Sequence, residues 1–258
     1  MSDPRLFDAL VPTGDTFADP AVAAGIVYVG SVDEQVYALN AMTGSEVWQL
    51  AVDGSVVNTP AVANGRIYFG TQAHAPGGGG KSFYAVEAQT GTIIWRVALE
   101  DETTSAPVVV AGTVYLTGAG LGLYALDEQT GQVRWQFHHG RSAIGNAPAV
   151  AYDTVYVTMA DSLYALDARS GAARWYFQHP GAVFLVSPTL AGNIVYCPAL
   201  AVASGIQGSS PGGLYAVDAQ TGRLLKFLSL AGDIGNTAAI VDGVAYIKSD
   251  NGYLYALH

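Results

Sequence analysis

Leu123 to Trp135 reads LYALDEQTGQVRW, and this stretch decides the fold because it recurs. Val36 to Trp48 reads VYALNAMTGSEVW, Phe83 to Trp95 reads FYAVEAQTGTIIW, and Leu163 to Trp175 reads LYALDARSGAARW. Leu214 to Lys226 reads LYAVDAQTGRLLK, and Tyr253 to His258 opens a sixth copy. The Tyr of each copy falls at 37, 84, 124, 164, 215 and 255, so the basic period is 40 with two insertions. A period near 40 with alternating apolar patterning predicts propeller blades of four strands.

Each period splits the same way. A first strand follows a proline: Pro60, Pro107, Pro148 or Pro188. A tight turn such as Asn64-Gly65 or Asp242-Gly243 suits a hairpin. The second strand carries a Val-Tyr pair, and the third is the Leu-Tyr-Ala-Leu segment. The acidic residue that follows (Glu87, Asp127, Asp167, Asp218) is expected to accept hydrogen bonds from the next turn, as in an Asx turn. The Thr-Gly or Ser-Gly pair fits a glycine at positive φ. The fourth strand carries the Trp, whose recurrence at one register predicts a ring wedged between neighbouring blades. Phe7 precedes Pro20 by 13 residues, and each Trp precedes the next proline by 12 or 13, so Arg5 to Leu10 reads as a lone fourth strand. Paired with the sixth copy, it closes a six-bladed ring and removes the exposed edges. Residues 1–258 are then one all-β domain.

Composition agrees. Half of the 258 residues are hydrophobic, 12% are charged and 31 are glycine, as stacked sheets with tight turns require. A net charge of −10 with no Lys/Arg run makes nucleic acid a poor partner. No apolar run is long enough for a membrane-spanning helix. Cys197 is the one cysteine and sits in an apolar strand, which predicts a buried, inert thiol.

The Pro-x-Val, Val-Tyr-Val and Leu-Tyr-Ala-Leu-Asp-x-x-Thr-Gly-x-x-x-Trp elements together resemble the PQQ-like (quinoprotein-like) β-propeller repeat family. The resemblance covers essentially the whole chain. It departs at Lys226, which replaces Trp, and at Ala238, which replaces proline. The family includes quinoprotein dehydrogenases, the outer-membrane assembly lipoprotein BamB and sensor domains attached to bacterial Ser/Thr kinases. It implies a bacterial, periplasmic or extracytoplasmic setting.

Chemistry is harder to find. Both insertions, Thr71 to Lys81 and Pro198 to Gly213, fall in loops between second and third strands, which share one face with the fourth-to-first loops. Asn58, Ser105, Asn146, Ser187 and Asn236 recur where the chain enters a first strand. Two readings apply: a ring of hydrogen-bonding groups for a ligand, or groups that satisfy the backbone. Lys81, His138 and Arg141 are further loop-face candidates. Ala75 to Ser82 fits a relaxed phosphate-loop pattern, but the strand that follows lacks the helix this mechanism needs. No catalytic motif and no metal-ligand spacing is legible. The expected function is a non-catalytic, monomeric binding or sensor propeller for a protein, peptide or small ligand. The alternative is a quinoprotein oxidoreductase holding pyrroloquinoline quinone with Ca²⁺. The resemblance to the dehydrogenases fails at their adjacent cysteines, which one cysteine cannot supply.

Overall fold

The computed structural model describes residues 18–73, 80–103, 105–120, 122–138, 145–180, 182–200, 212–230 and 234–257. All regular structure in these residues is β, in six antiparallel sheets. Sheet 1 comprises β1 (Ala21–Ala23), β2 (Ile26–Gly30), β3 (Gln35–Asn40) and β4 (Glu46–Ala51). Sheet 2 comprises β5 (Ala61–Ala63), β6 (Arg66–Gly70), β7 (Ser82–Glu87) and β8 (Ile93–Ala98), and sheet 3 comprises β9 (Val108–Val110), β10 (Thr113–Gly118), β11 (Gly122–Asp127) and β12 (Val133–Phe137). Sheet 4 comprises β13 (Ala149–Ala151), β14 (Thr154–Met159), β15 (Ser162–Asp167) and β16 (Ala173–Gln178). Sheet 5 comprises β17 (Thr189–Ala191), β18 (Ile194–Ala199), β19 (Gly213–Asp218) and β20 (Leu224–Ser229). Sheet 6 has three described strands, β21 (Ala239–Val241), β22 (Val244–Lys248) and β23 (Leu254–Leu257). The expected fourth strand at 5–10 lies outside the described residues.

The chain divides into two compact units, residues 1–114 with 126–133 and residues 115–125 with 134–258. One seam is repeated within both. In the first unit the Trp48 indole N–H donates to the Ala88 carbonyl at 2.9 Å and the Tyr28 hydroxyl donates to the same oxygen at 3.1 Å. In the second unit Trp135 and Tyr115 both donate to the Ala168 carbonyl, and Trp175 and Tyr156 to the Ala219 carbonyl. The paired Tyr and Trp rings sit about 6 Å apart and tilted, at 6.0 Å for Tyr28–Trp48 and 5.9 Å for Tyr156–Trp175, a favourable aromatic geometry. The ring is therefore a wedge with a polar handle: it fills the space between sheets and satisfies a carbonyl there.

The glycine of each Thr-Gly turn completes the seam. Gly91, Gly131, Gly171 and Gly222 all have φ of 72–73°. An added Cβ would also meet the preceding Trp ring at 2.9 Å for Gly91, 2.6 Å for Gly131 and Gly171, and 2.7 Å for Gly222. Both the backbone conformation and the approach of the ring exclude a side chain. The acidic residue before the turn behaves as an Asx cap. Asp167 Oδ1 accepts from the Arg169 and Ser170 amides and the Ser170 hydroxyl, and Asp127 and Asp218 repeat the pattern.

The fourth strands share one bulge. Between Ala165 and Leu166 the register shifts so that Ala165 faces Trp175 and Leu166 faces Ala173, which leaves Arg174 unpaired. Val47, Ile94 and Leu225 occupy the same position in sheets 1, 2 and 5. A bulge re-aims the extra side chain, and the residue type there differs among these four sheets. Hairpin turns differ as well. Ala24-Gly25, Asn64-Gly65, Ala111-Gly112 and Asp242-Gly243 place a glycine second in a turn with two positive φ angles. Sheet 4 instead uses Tyr152 (φ 51°) and Asp153 (φ 55°), at about 1–2 kcal/mol for each left-handed residue.

Candidate functional site

Two of the polar residues that enter the first strands, Asn58 and Asn146, hold sheets together. Asn58 donates from Nδ2 to the Thr103 carbonyl at 2.8 Å, which also accepts from Gln72 Nε2 at 2.7 Å. Asn146 donates from Nδ2 to the Phe184 carbonyl at 3.2 Å and to Thr158 Oγ1 at 3.0 Å. Thr103 and Phe184 occupy the same repeat position, two residues before the next sheet's counterpart of Asn58. The same inter-sheet clasp thus forms once in each unit. Both asparagines follow the second reading of the sequence, in which these groups satisfy the backbone.

The other candidates are more varied. Ser105 is buried and donates to the Ala106 carbonyl at 3.3 Å. Ser187 is half-buried, and Asn236, Lys81 and His138 are exposed. Arg141 lies outside the described residues, as do 74–79 and 201–211, which hold most of both insertions. Cys197 is fully buried, and burial pushes its thiol well above the ordinary range, so it is protonated and inert. Ser82 begins β7, so no helix follows the glycine-rich loop, and its hydroxyl donates to Asp53 Oδ2 at 2.7 Å.

Asp53 is a site that the repeat pattern conceals. Its carboxylate accepts from Thr71 Oγ1 at 3.0 Å, Tyr84 Oη at 2.9 Å, Ser82 Oγ and the Arg96 guanidinium. Burial pushes its pKa up, but the bonds from Ser82, Tyr84, Thr71 and Arg96 outweigh this and hold it below the ordinary carboxylate value. Tyr84 is pushed up to about 12 by burial and by its bond to Asp53. Thr71 and Ser82 flank the first insertion, so this cluster fixes the base of the loop. A second concealed feature is Glu128, buried where the equivalent residues Ala88, Ala168 and Ala219 are small. Its carboxylate accepts from Asn64 Nδ2 at 2.8 Å and from the Tyr68 hydroxyl at 3.2 Å. Arg66 donates to the Glu128 carbonyl and to Gln129 Oε1, each at 2.8 Å.

Pyrroloquinoline quinone is an anionic tricarboxylate and asks for a cluster of cations. Among the described residues no Lys or Arg is buried, and half-buried Arg66 is tied to Glu128 and Gln129. The described residues therefore do not fit that cofactor. Among them no group of three or more His, Cys, Asp or Glu gathers as metal ligands, and no helix is long and apolar enough to cross a membrane.

The family model for outer membrane protein assembly factor BamB matches residues 9–136 and 79–258. The chain belongs to this family. Over 44 residues, 17% of this chain, it is 46% identical to BamB of Salmonella typhimurium, and that stretch is 11% of the relative's length. The crystal structure of BamB from Moraxella catarrhalis superposes with a TM-score of 0.73 at 19% identity, covering 94% of this chain and 72% of that one. A quinohemoprotein alcohol dehydrogenase from Pseudomonas putida superposes with a TM-score of 0.66 at 22% identity, covering 86% of this chain and 43% of the enzyme. At these identities both structures speak to fold alone, and the six sheets are consistent with a β-propeller like BamB.

Proposed function

We propose that this chain is a non-catalytic binding propeller that engages a protein partner in outer-membrane assembly, in the periplasm, through the face carrying its long loops. The observation that carries this reading is the BamB family match, which runs from residue 9 to 258. The structure adds support of a different kind. Asn58 and Asn146, the best candidates for a small-ligand ring, have their amides engaged between sheets, whereas Asp53 and its partners brace the base of an insertion. Rigid support beneath an inserted loop suits a recognition surface.

We also infer a closed six-bladed ring, with residues 5–10 as the fourth strand on Leu254–Leu257. Leu254 is 69% exposed, an edge that such a strand covers. Slow amide exchange at 254–257 that becomes fast on deleting residues 1–10 is the expected result, and fast exchange in the intact chain contradicts closure.

Site-specific photocrosslinking tests the function. Crosslinkers at Lys81 and His138, in a chain exported to the periplasm, are expected to trap a component of the outer-membrane assembly machinery, while one at exposed Met42 does not. Equal yield from all three sites, or none from the loop positions, contradicts the reading. Titration with pyrroloquinoline quinone and Ca²⁺ is expected to leave the melting temperature unchanged. A saturable rise with a bound chromophore would replace binding by quinoprotein chemistry.

A further inference from the structure

The seam between sheets 4 and 5 differs from its counterpart between sheets 2 and 3 at a few residues and holds a groove. The earlier seam has Asn64, Arg66 and Glu128 crossing it in a bonded plug. At the corresponding positions the later seam has Tyr152, Thr154 and Ala219. A cavity of about 530 Å³ lies at this seam, lined by Tyr152, Thr154, Arg174, Trp175, Asn193 and Gln220, among others. That volume lies within the range of small-ligand sites.

Three features point to a ligand. Tyr152 is 75% exposed at the rim, held there by a turn that dispenses with glycine at both positive-φ positions. Strain of this kind in a bulky residue collects at functional sites. Arg174 is the bulge residue of its strand, aimed out of the sheet, where sheets 1, 2 and 5 carry Val47, Ile94 and Leu225 and the sequence of sheet 3 has Arg134. Its guanidinium donates to Thr154 Oγ1 at 2.6 Å and to Asp167 Oδ2 at 2.7 Å, and Thr154 Oγ1 donates to the Tyr152 carbonyl at 3.2 Å. The chain of bonds links the ion pair to the strained turn. Asn193 donates to Asp218 Oδ2 at 3.0 Å, which leaves its amide oxygen as an acceptor, and Gln220 is exposed beside it.

We propose that this groove binds a neutral saccharide of one or two rings. An open aromatic face accepts the C–H face of a sugar ring, and side-chain amides offer a donor and an acceptor to neighbouring hydroxyls. Charge excludes the competitors. Arg174 is neutralised by Asp167, so an anionic ligand gains little, and the net charge of −10 opposes it further. The mixed polar lining disfavours a purely apolar ligand. The site is independent of the loop-face reading above.

Saturation-transfer NMR and calorimetry on the intact chain, with glucose, galactose, N-acetylglucosamine, maltose and cellobiose, test the proposal. Glucose 6-phosphate and a proline-rich decapeptide represent the competing chemistries. At least one neutral sugar is expected to bind saturably. Tyr152→Phe retains that binding, and Tyr152→Ala weakens it about tenfold, the size of one aromatic contact. The double change Tyr152→Asn with Asp153→Gly rebuilds the relaxed turn of Asn64-Gly65, so it is expected to raise the melting temperature while losing the sugar. Failure of every neutral sugar to bind overturns the proposal. So does undiminished binding in the Asn-Gly variant, or preference for the peptide or the phosphate.

Discussion

The described seams that carry a Trp and the seam between sheets 5 and 6 are built from the same repeat, and they differ at the Trp position. Between sheets 3 and 4, Trp135 fills the gap, donates to the Ala168 carbonyl and lies against Gly171. Between sheets 5 and 6, Lys226 stands at the Trp position and is exposed. Beneath it lies an apolar cavity of about 320 Å³ lined by Tyr196, Leu214, Leu225, Leu228, Ala245 and Leu257, among others. The repeat therefore does not depend on its strands alone. Each sheet is hydrogen-bonded within itself, whereas an aromatic ring and the glycine that receives it recur as a contact between sheets, beside the asparagine clasps and the Glu128 plug.

The largest expected effect follows from this contrast. Trp135→Ala should destabilise the chain by about 3–5 kcal/mol, the range for deleting a buried large aromatic. Lys226→Ala should change stability by less than about 0.5 kcal/mol, as for most exposed positions. Urea unfolding of both variants makes the comparison, and similar losses would erase the distinction between the seams. Next comes the glycine. Gly171→Ala places a Cβ against the Trp135 ring as well as at φ 72°, and about 3 kcal/mol is expected from crowding and backbone strain together. Gly243→Ala has φ 78° but open space around it, so about 1 kcal/mol is expected.

Smaller effects sharpen the picture. Lys226→Leu, extending into the apolar cavity, should stabilise by about 1 kcal/mol, read as a shift in the urea midpoint. Asn146→Ala should cost about 1 kcal/mol through its inter-sheet bond. The pH dependence has two signs. Asp167 is held below its ordinary pKa first by Arg174 and then by the Ser170 amide and hydroxyl. Its contribution is present above the unfolded value near pH 4 and fades as pH falls further, so Asp167→Asn should flatten the acid limb of a stability–pH curve. Tyr68 is pushed up to about 12, first by burial. Its contribution is present below about pH 10 and lost as pH rises towards 12, so Tyr68→Phe should flatten the alkaline limb.

Much of this architecture was legible because it is local. The Asp and Thr-Gly turn is written within five residues, and the Trp register repeats in four consecutive copies. The asparagines were visible as a pattern, but their role was not, because each meets a carbonyl 38 or 45 residues away. Asp53 was hidden for the same reason: its partners Thr71, Ser82, Tyr84 and Arg96 come from three other strands or their ends. The groove beside Tyr152 was least legible of all. Its rim residue Tyr152 stands where other hairpins carry Ala24, Asn64 and Ala111, and its far wall at Asn193 and Gln220 comes from the next sheet.

A double-mutant cycle between Trp135 and Gly171 tests the central claim most directly, since it isolates the ring-against-glycine contact from the cost of either change alone. In the wild-type background Gly171→Ala should cost about 3 kcal/mol, and in a Trp135→Ala background only the backbone part, about 1 kcal/mol, should remain. A coupling energy of about 2 kcal/mol would establish the ring and the glycine as one device. Additive losses would contradict the account and return the glycine to an ordinary turn residue.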